Sequence, residues 1–169
     1  DLRSLRPYKQ VKKSGFVGEL RNYQKVGVNW LIHLIKNDLG GILADDMGLG
    51  KTIQSIAAID AVIQKGDKVL IVAPKSLVFN WKQEIAKFAP KLCVLDYTGS
   101  SRGLETENII QEQIILTTYQ TLRIDIDKIK SHRFRIAIFD EAQNIKNKES
   151  QTATACRLVP SQFKLALTG

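Results

Sequence analysis

The sequence predicts an α/β fold in which a parallel β-sheet is sandwiched between helices. Six short runs rich in Val, Ile and Leu are nearly continuous rather than alternating with polar residues, which is typical of strands covered on both faces. Helical patterns separate most of these runs, and strands that alternate with helices form parallel sheets with right-handed crossovers. The predicted strands are Gly41–Asp45, Lys68–Ala73, Leu92–Tyr97, Gln113–Thr118, Arg135–Asp140 and Phe163–Thr168.

A helix is predicted ahead of the sheet, because apolar residues recur at helical spacing from Tyr23 to Ile35 and helix-ending residues follow at 37–40. Residues 1–19 are basic and lack apolar periodicity. We therefore expect them to form a lead-in strap that contributes no core element, followed by one domain over residues 20–169. The other predicted helices are Lys51–Lys65, Leu77–Phe88, Tyr119–Lys130 and about Ser150–Val159.

The composition is that of an ordinary globular domain. Of the 169 residues, 44% are hydrophobic and 25% are charged, which excludes a disordered chain, a collagen-like fibre and a disulfide scaffold. No apolar run approaches the roughly 18 residues that span a bilayer, and no signal peptide opens the chain, so we expect a soluble intracellular protein without a membrane partner. The formal net charge of +8 is compatible with an anionic partner but is weak evidence for one. Because the chain starts without Met and stops just after an apolar run, we expect it to be a piece of a longer protein.

A glycine-bearing loop between the first strand and the next helix has the form of a phosphate-binding loop. Residues 45–52 read DDMGLGKT. Gly48 and Gly50 allow positive φ angles and a close approach of backbone N–H groups to phosphate oxygens. Lys51 is then expected to reach the β- and γ-phosphates, and the Thr52 hydroxyl to bind Mg²⁺. A chance glycine turn before a helix is the alternative, because an aspartate stands where the strict motif has its first glycine.

A pair of carboxylates ends the fifth predicted strand. We expect Asp140 to hold Mg²⁺ through water, and Glu141 to orient or deprotonate the attacking water. A solvated turn would look the same, so this interpretation depends on the upstream loop. A carboxylate directed at water indicates hydrolysis rather than transfer to a second substrate. Residues 147–150 read NKES and lack the Asp of the guanine-binding NKxD motif, which favours adenine.

Seven segments of the chain occur together in one order. They are LRNYQ at 20–24, ILADDMGLGKTIQ at 42–54, IVAPKSL at 71–77, Trp81 with Glu84, TTY at 117–119, DEAQNIKN at 140–147 and LTG at 167–169. This set resembles the superfamily 2 helicase-like ATPases, specifically the Swi/Snf-type DNA translocases and chromatin remodellers. The resemblance spans about residues 20–169 and implies the first of that family's two RecA-like lobes, a P-loop NTPase fold. It departs at Asn22, where proline is usual, and at Asp46, where glutamate is commoner.

The resemblance implies roles for further residues. Gln24 matches the family's adenine-reading glutamine, whose amide can both donate and accept hydrogen bonds. Gln143 matches a position that couples the nucleotide site to the rest of the motor. Thr168 lies in a motif that links the ATP state to lobe movement and that is cut short here. The expected contacts to the DNA backbone are Pro74, Lys75, Ser76, Thr117 and Thr118.

These DNA contacts have plain structural alternatives. Residues 74–76 also suit an ordinary helix cap, and residues 117–119 an ordinary strand-to-helix turn. Trp30 and Trp81 stand at helical spacing among apolar neighbours, so we expect core positions rather than platforms for stacking bases.

The resemblance implies a DNA-dependent ATPase that couples Mg-ATP hydrolysis to translocation on double-stranded DNA. The family's arginine fingers come from a second lobe in cis, which this chain lacks, so we expect very slow hydrolysis by this lobe alone. The alternatives are a stand-alone P-loop NTPase, such as a kinase or GTPase, and a non-catalytic nucleic-acid-binding domain. The DEAQNIKN segment is similar to bacterial members, which favours a prokaryotic, nucleoid-associated cytoplasmic protein over a nuclear one.

Overall fold

Six strands form one parallel sheet within the part of the chain that the structure describes. The computed structural model describes residues 15–44, 50–99, 113–145, 147 and 150–169. The strands are β1 (Gly41–Ala44), β2 (Val69–Ala73), β3 (Val94–Tyr97), β4 (Ile114–Thr118), β5 (Phe134–Phe139) and β6 (Ser161–Thr168). Their order in the sheet is β1-β6-β5-β2-β4-β3, and each neighbouring pair is parallel. The predicted fold class is therefore confirmed.

Helices cover both faces of this sheet. The α-helices are α1 (Asn22–Lys36), α2 (Lys51–Val62), α3 (Lys75–Phe88), α4 (Tyr119–Ile124), α5 (Ile126–Ile129) and α6 (Gln151–Leu158). One core cluster joins α1, α2 and α3 to one face of the sheet, and a second joins α4, α5 and α6 to the other. Because strand side chains alternate, Ile71 belongs to the first cluster and its neighbours Leu70 and Val72 to the second. No helix in the described ranges has both the length and the apolar character needed to span a membrane.

The helix predicted over Tyr119–Lys130 is two short helices that meet at Asp125. Asp125 is buried, its φ of −103° and ψ of 17° are not helical, and its carboxylate accepts a hydrogen bond of 2.8 Å from the Tyr97 hydroxyl on β3. A long-range polar contact therefore interrupts a pattern that is helical in the sequence. The α3 helix begins at Lys75 instead of Leu77, with Pro74 as its N-cap.

The described part of the predicted strap, residues 15–19, forms no helix or strand, but Phe16 adds its side chain to the core. Its side chain is buried, and its ring stacks on that of Phe88 with centroids 5.9 Å apart. The Val17 N–H also donates a hydrogen bond of 2.7 Å to the Phe88 carbonyl. The segment ahead of α1 is thus held on the end of α3. Residues 1–14 of the predicted strap lie outside the described residues.

The carboxyl ends of the six strands meet at one edge, and the strand order divides that edge into two halves. The strands β1, β6 and β5 lie side by side, as do β2, β4 and β3. Apart from Gln24 on α1, the residues predicted to contact nucleotide follow β1 and β5 of the first half. Those predicted to contact DNA lie at the end of β4 or directly after β2, in the second half. The boundary lies between β5 and β2, which pair from Val69↔Ile136 to Val72↔Phe139.

Candidate active site

Gly50 begins α2 directly beneath the side chain of Gln24. Its backbone is left-handed, with a φ of 92°, and its carbonyl accepts the first hydrogen bond of the helix from the Gln54 N–H at 2.9 Å. A Cβ at this position would collide with Nε2 of Gln24. Glycine is therefore favoured here by its conformation, and a Cβ would also displace the amide of Gln24. The rest of the predicted loop, including Gly48, lies outside the described residues.

Gln24 lies on the first turn of α1 and forms one wall of a cleft beside the start of α2. Its Oε1 accepts a hydrogen bond of 2.8 Å from the Arg21 N–H, which holds the side chain in place. The cleft has a volume of about 330 Å³, and Thr52 and Glu84 line it as well. An amide fixed at the mouth of such a cleft is able to contact a ligand through its free N–H groups.

Lys51 and Thr168 meet across the sheet edge. Lys51 is the first residue of α2 and only 7% of it is exposed, and its Nζ donates a hydrogen bond of 2.5 Å to the Thr168 carbonyl at the end of β6. The sheet register pairs Ala44, the last residue of β1, with this Thr168. The predicted phosphate-binding lysine and the predicted coupling threonine are thus in direct contact.

Asp140 follows β5 and is held at both carboxylate oxygens. Its Oδ2 accepts a hydrogen bond of 2.8 Å from Nε1 of Trp81, and its Oδ1 accepts one of 2.9 Å from the Glu141 N–H. The pKa of the Asp140 carboxyl is raised, mainly because the group is buried and in part because of the Glu141 charge. The hydrogen bonds from Trp81 and from the Glu141 N–H lower this pKa, as does the positive charge of Lys51. Lys51 and Asp140 are therefore near enough for their charges to interact.

Glu141 adopts a left-handed backbone conformation, with a φ of 50° and a ψ of 42°, at the N-cap of a short 3₁₀ helix (Ala142–Asn144). Non-glycine residues rarely occupy this region, and when they do they concentrate at functional sites. Its Oε2 accepts a hydrogen bond from Nε2 of the exposed Gln143. The turn therefore brings the predicted catalytic glutamate and the predicted coupling glutamine together.

The residues at this edge fit a magnesium ion bound together with a phosphate ligand. Each oxygen of Asp140 accepts one hydrogen bond, which leaves further lone pairs for water or metal, and Thr52 offers a hydroxyl. Mg²⁺ is usually bound by one or two protein oxygens, several waters and substrate phosphates rather than by an all-protein cage. The described residues contain no cluster of three or more Asp, Glu, His or Cys that could hold a metal without such a partner.

The second half of the edge contains a groove of about 520 Å³ between α3 and α4. Lys75, the first residue of α3, and Thr118 line it. Lys75 and Ser76 are exposed, whereas Pro74 is half-buried at the N-cap. Two apolar side chains, Phe79 and Ile124, line the same groove and are 66% and 59% exposed. The groove therefore combines exposed apolar side chains with a lysine and a threonine predicted to contact DNA.

The two threonines predicted to contact DNA differ. Thr117 is completely buried, and its hydroxyl donates a hydrogen bond of 2.7 Å to the Tyr97 carbonyl, so its side chain is not available to a phosphate. Because strand alternation turns this side chain inward, the hydroxyl cannot make the predicted DNA contact of Thr117 in this structure. The Thr118 hydroxyl lines the groove but also accepts a hydrogen bond of 3.1 Å from the Thr121 N–H as the N-cap of α4.

The contacts of Trp81 and Tyr119 with Asp140 were not expected from the sequence. Trp81 was expected in the core, and it is fully buried, but its indole N–H also binds Asp140. Tyr119 donates a hydrogen bond of 2.6 Å from its hydroxyl to the Asp140 carbonyl. The available signal was chemical, since a buried Trp or Tyr normally finds an acceptor for its polar hydrogen. The sequence does not say which acceptor.

The model of one protein family, the SNF2-related domain, matches residues 23–169 of this chain, which is most of its length and includes every segment of the site described above. The chain belongs to the SNF2-related domain family. The sequence resemblance to Swi/Snf-type ATPases is therefore confirmed.

Curated relatives of this SNF2-related domain are named as ATP-dependent helicases and remodelling ATPases. An uncharacterized ATP-dependent helicase of Mycoplasma pneumoniae is 43% identical over 90% of this chain and 15% of the relative. A putative ATP-dependent helicase/translocase of Bacillus subtilis is 39% identical over 91% of this chain and 17% of the relative. A chromatin-remodeling ATPase of Gibberella zeae is 36% identical over 89% of this chain and 9% of the relative. The chain thus spans less than a fifth of the length of these relatives.

Solved structures with a similar fold include the SWI2/SNF2 ATPase core of Sulfolobus solfataricus in complex with double-stranded DNA. It superposes with a TM-score of 0.83 at 34% identity, over 96% of this chain and 34% of that one. A second structure of the same ATPase core superposes with a TM-score of 0.78, also at 34% identity, over 97% of this chain and 35% of that one.

Proposed function

We propose that this SNF2-related domain is the ATP-binding lobe of a DNA-dependent ATPase that uses Mg-ATP hydrolysis to move along double-stranded DNA. The observation that carries the proposal is the hydrogen bond of Lys51 to the Thr168 carbonyl at the carboxyl edge where Asp140 follows β5, near enough for the Lys51 charge to lower the pKa of the Asp140 carboxyl against the effect of burial. A phosphate-binding lysine after β1 and an acidic pair after β5, at the same edge of one sheet, are the two protein parts that P-loop hydrolysis requires.

Each residue has a distinct role in this proposal. Lys51 exchanges the Thr168 carbonyl for β- and γ-phosphate oxygens when ATP binds, so nucleotide occupancy changes the contact at the end of β6. Thr52 and Asp140 hold Mg²⁺, which when bound neutralises charge on the β- and γ-phosphates. Glu141 orients the attacking water and accepts its proton. Gln143, through its hydrogen bond to Glu141, couples this glutamate to the rest of the motor.

Gln24 selects the nucleotide base. Its side chain stands over Gly50 at the mouth of a cleft, where its amide can donate to a ring nitrogen and accept from an exocyclic amine. That pattern matches adenine and not guanine. The cleft and the phosphate-binding residues adjoin each other at the start of α2.

The groove between α3 and α4 contacts the DNA backbone. Lys75 supplies a positive charge there, the first turn of α3 supplies backbone N–H groups, and Thr118 lines the opposite wall. Support comes from the similar Sulfolobus ATPase core, which is described in complex with double-stranded DNA. Contacts of this kind position a duplex without reading its sequence.

A second RecA-like lobe in cis completes the motor and supplies the arginine finger. Support comes from the relatives, of which this chain spans only a small share. Bacterial and eukaryotic relatives both occur, and the similarity to two Mycoplasma proteins supports a cytoplasmic location in a prokaryotic cell.

The decisive experiment measures ATP hydrolysis by the full-length protein with and without duplex DNA, in the original form and with Lys51→Ala. We expect hydrolysis stimulated by DNA, and loss of nucleotide binding and hydrolysis in Lys51→Ala with DNA binding retained. Lys36→Ala, at the exposed end of α1, is the matched control and should behave like the original protein. Tight GTP binding would instead indicate a stand-alone P-loop NTPase. DNA binding without any nucleotide binding or hydrolysis would indicate a non-catalytic nucleic-acid-binding domain.

A further inference from the structure

Two side chains, on different helices of the other half of the sheet edge, donate hydrogen bonds to Asp140. Trp81 of α3 donates from Nε1 to Oδ2 at 2.8 Å, and Tyr119 of α4 donates from its hydroxyl to the backbone carbonyl at 2.6 Å. Both helices follow strands of the β2-β4-β3 half of the edge, whereas Asp140 follows β5. These hydrogen bonds therefore connect the two halves of the site.

The same two helices form the walls of the groove with their other faces. On α3, the groove-lining residues 75, 78, 79 and 82 have the spacing of one helix face, and Trp81 lies outside that stripe. On α4, the groove is lined by residues 120, 121 and 124, whereas Tyr119 projects to the opposite side. Each helix thus contacts the groove on one face and Asp140 on another.

The connection is rigid at the Asp140 end. Trp81 is completely buried among residues of the first core cluster, so its indole cannot rotate without moving α3. With Oδ2 bound to Trp81 and Oδ1 bound to the Glu141 N–H, the orientation of the carboxylate follows the position of α3. The carbonyl of the same residue, bound to Tyr119, follows the position of α4.

We propose that Trp81 and Tyr119 are positioning residues that transmit movement of the groove-lining helices to the Asp140–Glu141 pair. The inference rests on the proposed function, because it requires that the groove binds DNA and that the pair acts on ATP. A shift of α3 or α4 on the DNA backbone changes the hydrogen bonds at Asp140, and the coupling between the two sites is reciprocal. Trp81 and Tyr119 themselves touch neither ligand.

The test compares matched pairs of variants in the full-length protein. Tyr119→Phe removes only the hydroxyl that binds Asp140, and Tyr97→Phe removes a hydroxyl that donates to the buried Asp125 on the same face of the sheet. Trp81→Phe removes the indole donor, and Ile85→Ala removes a comparable apolar volume one turn further along α3. The controls lose packing or a hydrogen bond without touching Asp140.

The first readout involves no turnover. The affinity for a non-hydrolysable ATP analogue is measured with and without duplex DNA, and the ratio of these two affinities is the coupling factor. We expect Tyr119→Phe and Trp81→Phe to reduce this factor at least about fivefold, with the affinity for DNA alone changed by less than about twofold. The DNA stimulation of kcat should fall in parallel. Tyr97→Phe and Ile85→Ala should keep the original factor even where they lower Tm.

An unchanged coupling factor in both test variants, or an equal loss in the controls, would overturn the inference. Failure of the proposed function is visible separately in the unmodified protein. If that protein shows no coupling between nucleotide and DNA, the proposed function fails and this inference fails with it. If it shows coupling that survives in both test variants, only the inference fails.

Discussion

At the scale of single residues, the site depends on two backbone conformations that most side chains avoid. Gly50 has a φ of 92° at the start of α2, and Glu141 has a φ of 50° just after β5. Glycine adopts its conformation without penalty, whereas the left-handed glutamate costs about 1–3 kcal/mol that the surrounding structure must offset. At Glu141 the hydrogen bond from its N–H to Asp140 Oδ1 and that from Gln143 to its Oε2 contribute to this offset.

Replacing Glu141 with glutamine tests its role as the base. We expect the rate of ATP hydrolysis on DNA to fall at least about 100-fold, because the amide cannot accept the proton of the attacking water. The affinity for Mg-ATP should stay within a small factor, since the change preserves shape. Steady-state hydrolysis and equilibrium nucleotide binding measure the two effects, and Glu19→Gln on the exposed lead-in serves as the control. A variant that hydrolyses ATP at the original rate would exclude this role.

Gly50→Ala and Gly66→Ala form a matched pair. Their φ angles are 92° and 90°, but a Cβ at Gly50 meets Gln24 whereas a Cβ at Gly66 meets nothing within 4 Å. Both changes should lower the free energy of unfolding by about 1–3 kcal/mol, as measured by chemical denaturation. Only Gly50→Ala should also weaken ATP binding and reduce the preference for ATP over GTP, because it displaces Gln24. Equal base selectivity in the two variants would argue against Gln24 as the adenine reader.

At the scale of elements, α3 serves both halves of the site. Its buried face carries Val78, Trp81 and Ile85 and packs against the sheet. Its other face leaves Phe79 exposed beside Lys75 and Lys82 in the groove. The ion pair between Lys82 and Asp96 is 2.8 Å long, but its side chains are 44% and 36% exposed, so it contributes little to stability.

Removing the charge at the start of α3 tests the groove as a DNA contact. Lys75→Ala should weaken duplex binding about uniformly across sequences and reduce the slope of log affinity against log salt by about one. Lys87→Ala, at the other end of α3 with its ammonium 5.0 Å from the Phe88 ring, is the control and should keep the original slope. Fluorescence anisotropy over a salt series gives both slopes. Identical slopes for the two variants would place the DNA contact elsewhere.

At the scale of the whole molecule, the proposed function divides two tasks along one edge of the parallel sheet. The predicted nucleotide contacts other than Gln24 follow β1 and β5, and the groove lies beside the ends of β2, β4 and β3. Because every strand runs in the same direction, both proposed sites lie at one edge of the sheet, where the proposed second lobe would contact them together. The Lys51–Thr168 hydrogen bond at one end and the Trp81–Asp140 bond near the middle are two of the long-range polar contacts at this edge.

The isolated 169-residue chain should bind ATP weakly and hydrolyse it at least about 10³-fold more slowly than the full-length protein on DNA, because an arginine finger contributes about 10³–10⁵ to such rates. Circular dichroism should first establish that the isolated chain is folded. The comparison then measures the hydrolysis rate of each protein at saturating duplex. DNA-stimulated hydrolysis by the isolated chain at the full-length rate would contradict the requirement for a second lobe.

The sequence by itself determined the class of fold, the approximate strands and helices, and the chemistry at the strand ends. Apolar runs such as Val69–Ala73 identify buried strands. In the GKT segment at 50–52 and the DE segment at 140–141, the residues predicted to bind phosphate and magnesium are adjacent in the sequence, so each segment is recognisable by itself. Local periodicity and turn chemistry are properties of neighbouring residues, so they can be read without knowing the fold.

Only the tertiary structure decided which distant residues meet. It placed β6 between β1 and β5, brought Lys51 to Thr168, and directed Trp81 to Asp140. It also turned Thr117 inward, added Phe16 to the core and divided a predicted helix at Asp125. These outcomes depend on strand order, on register and on where a buried polar group finds its partner. None of them is encoded in the spacing of residues along the chain, because each is settled by packing between segments far apart in sequence.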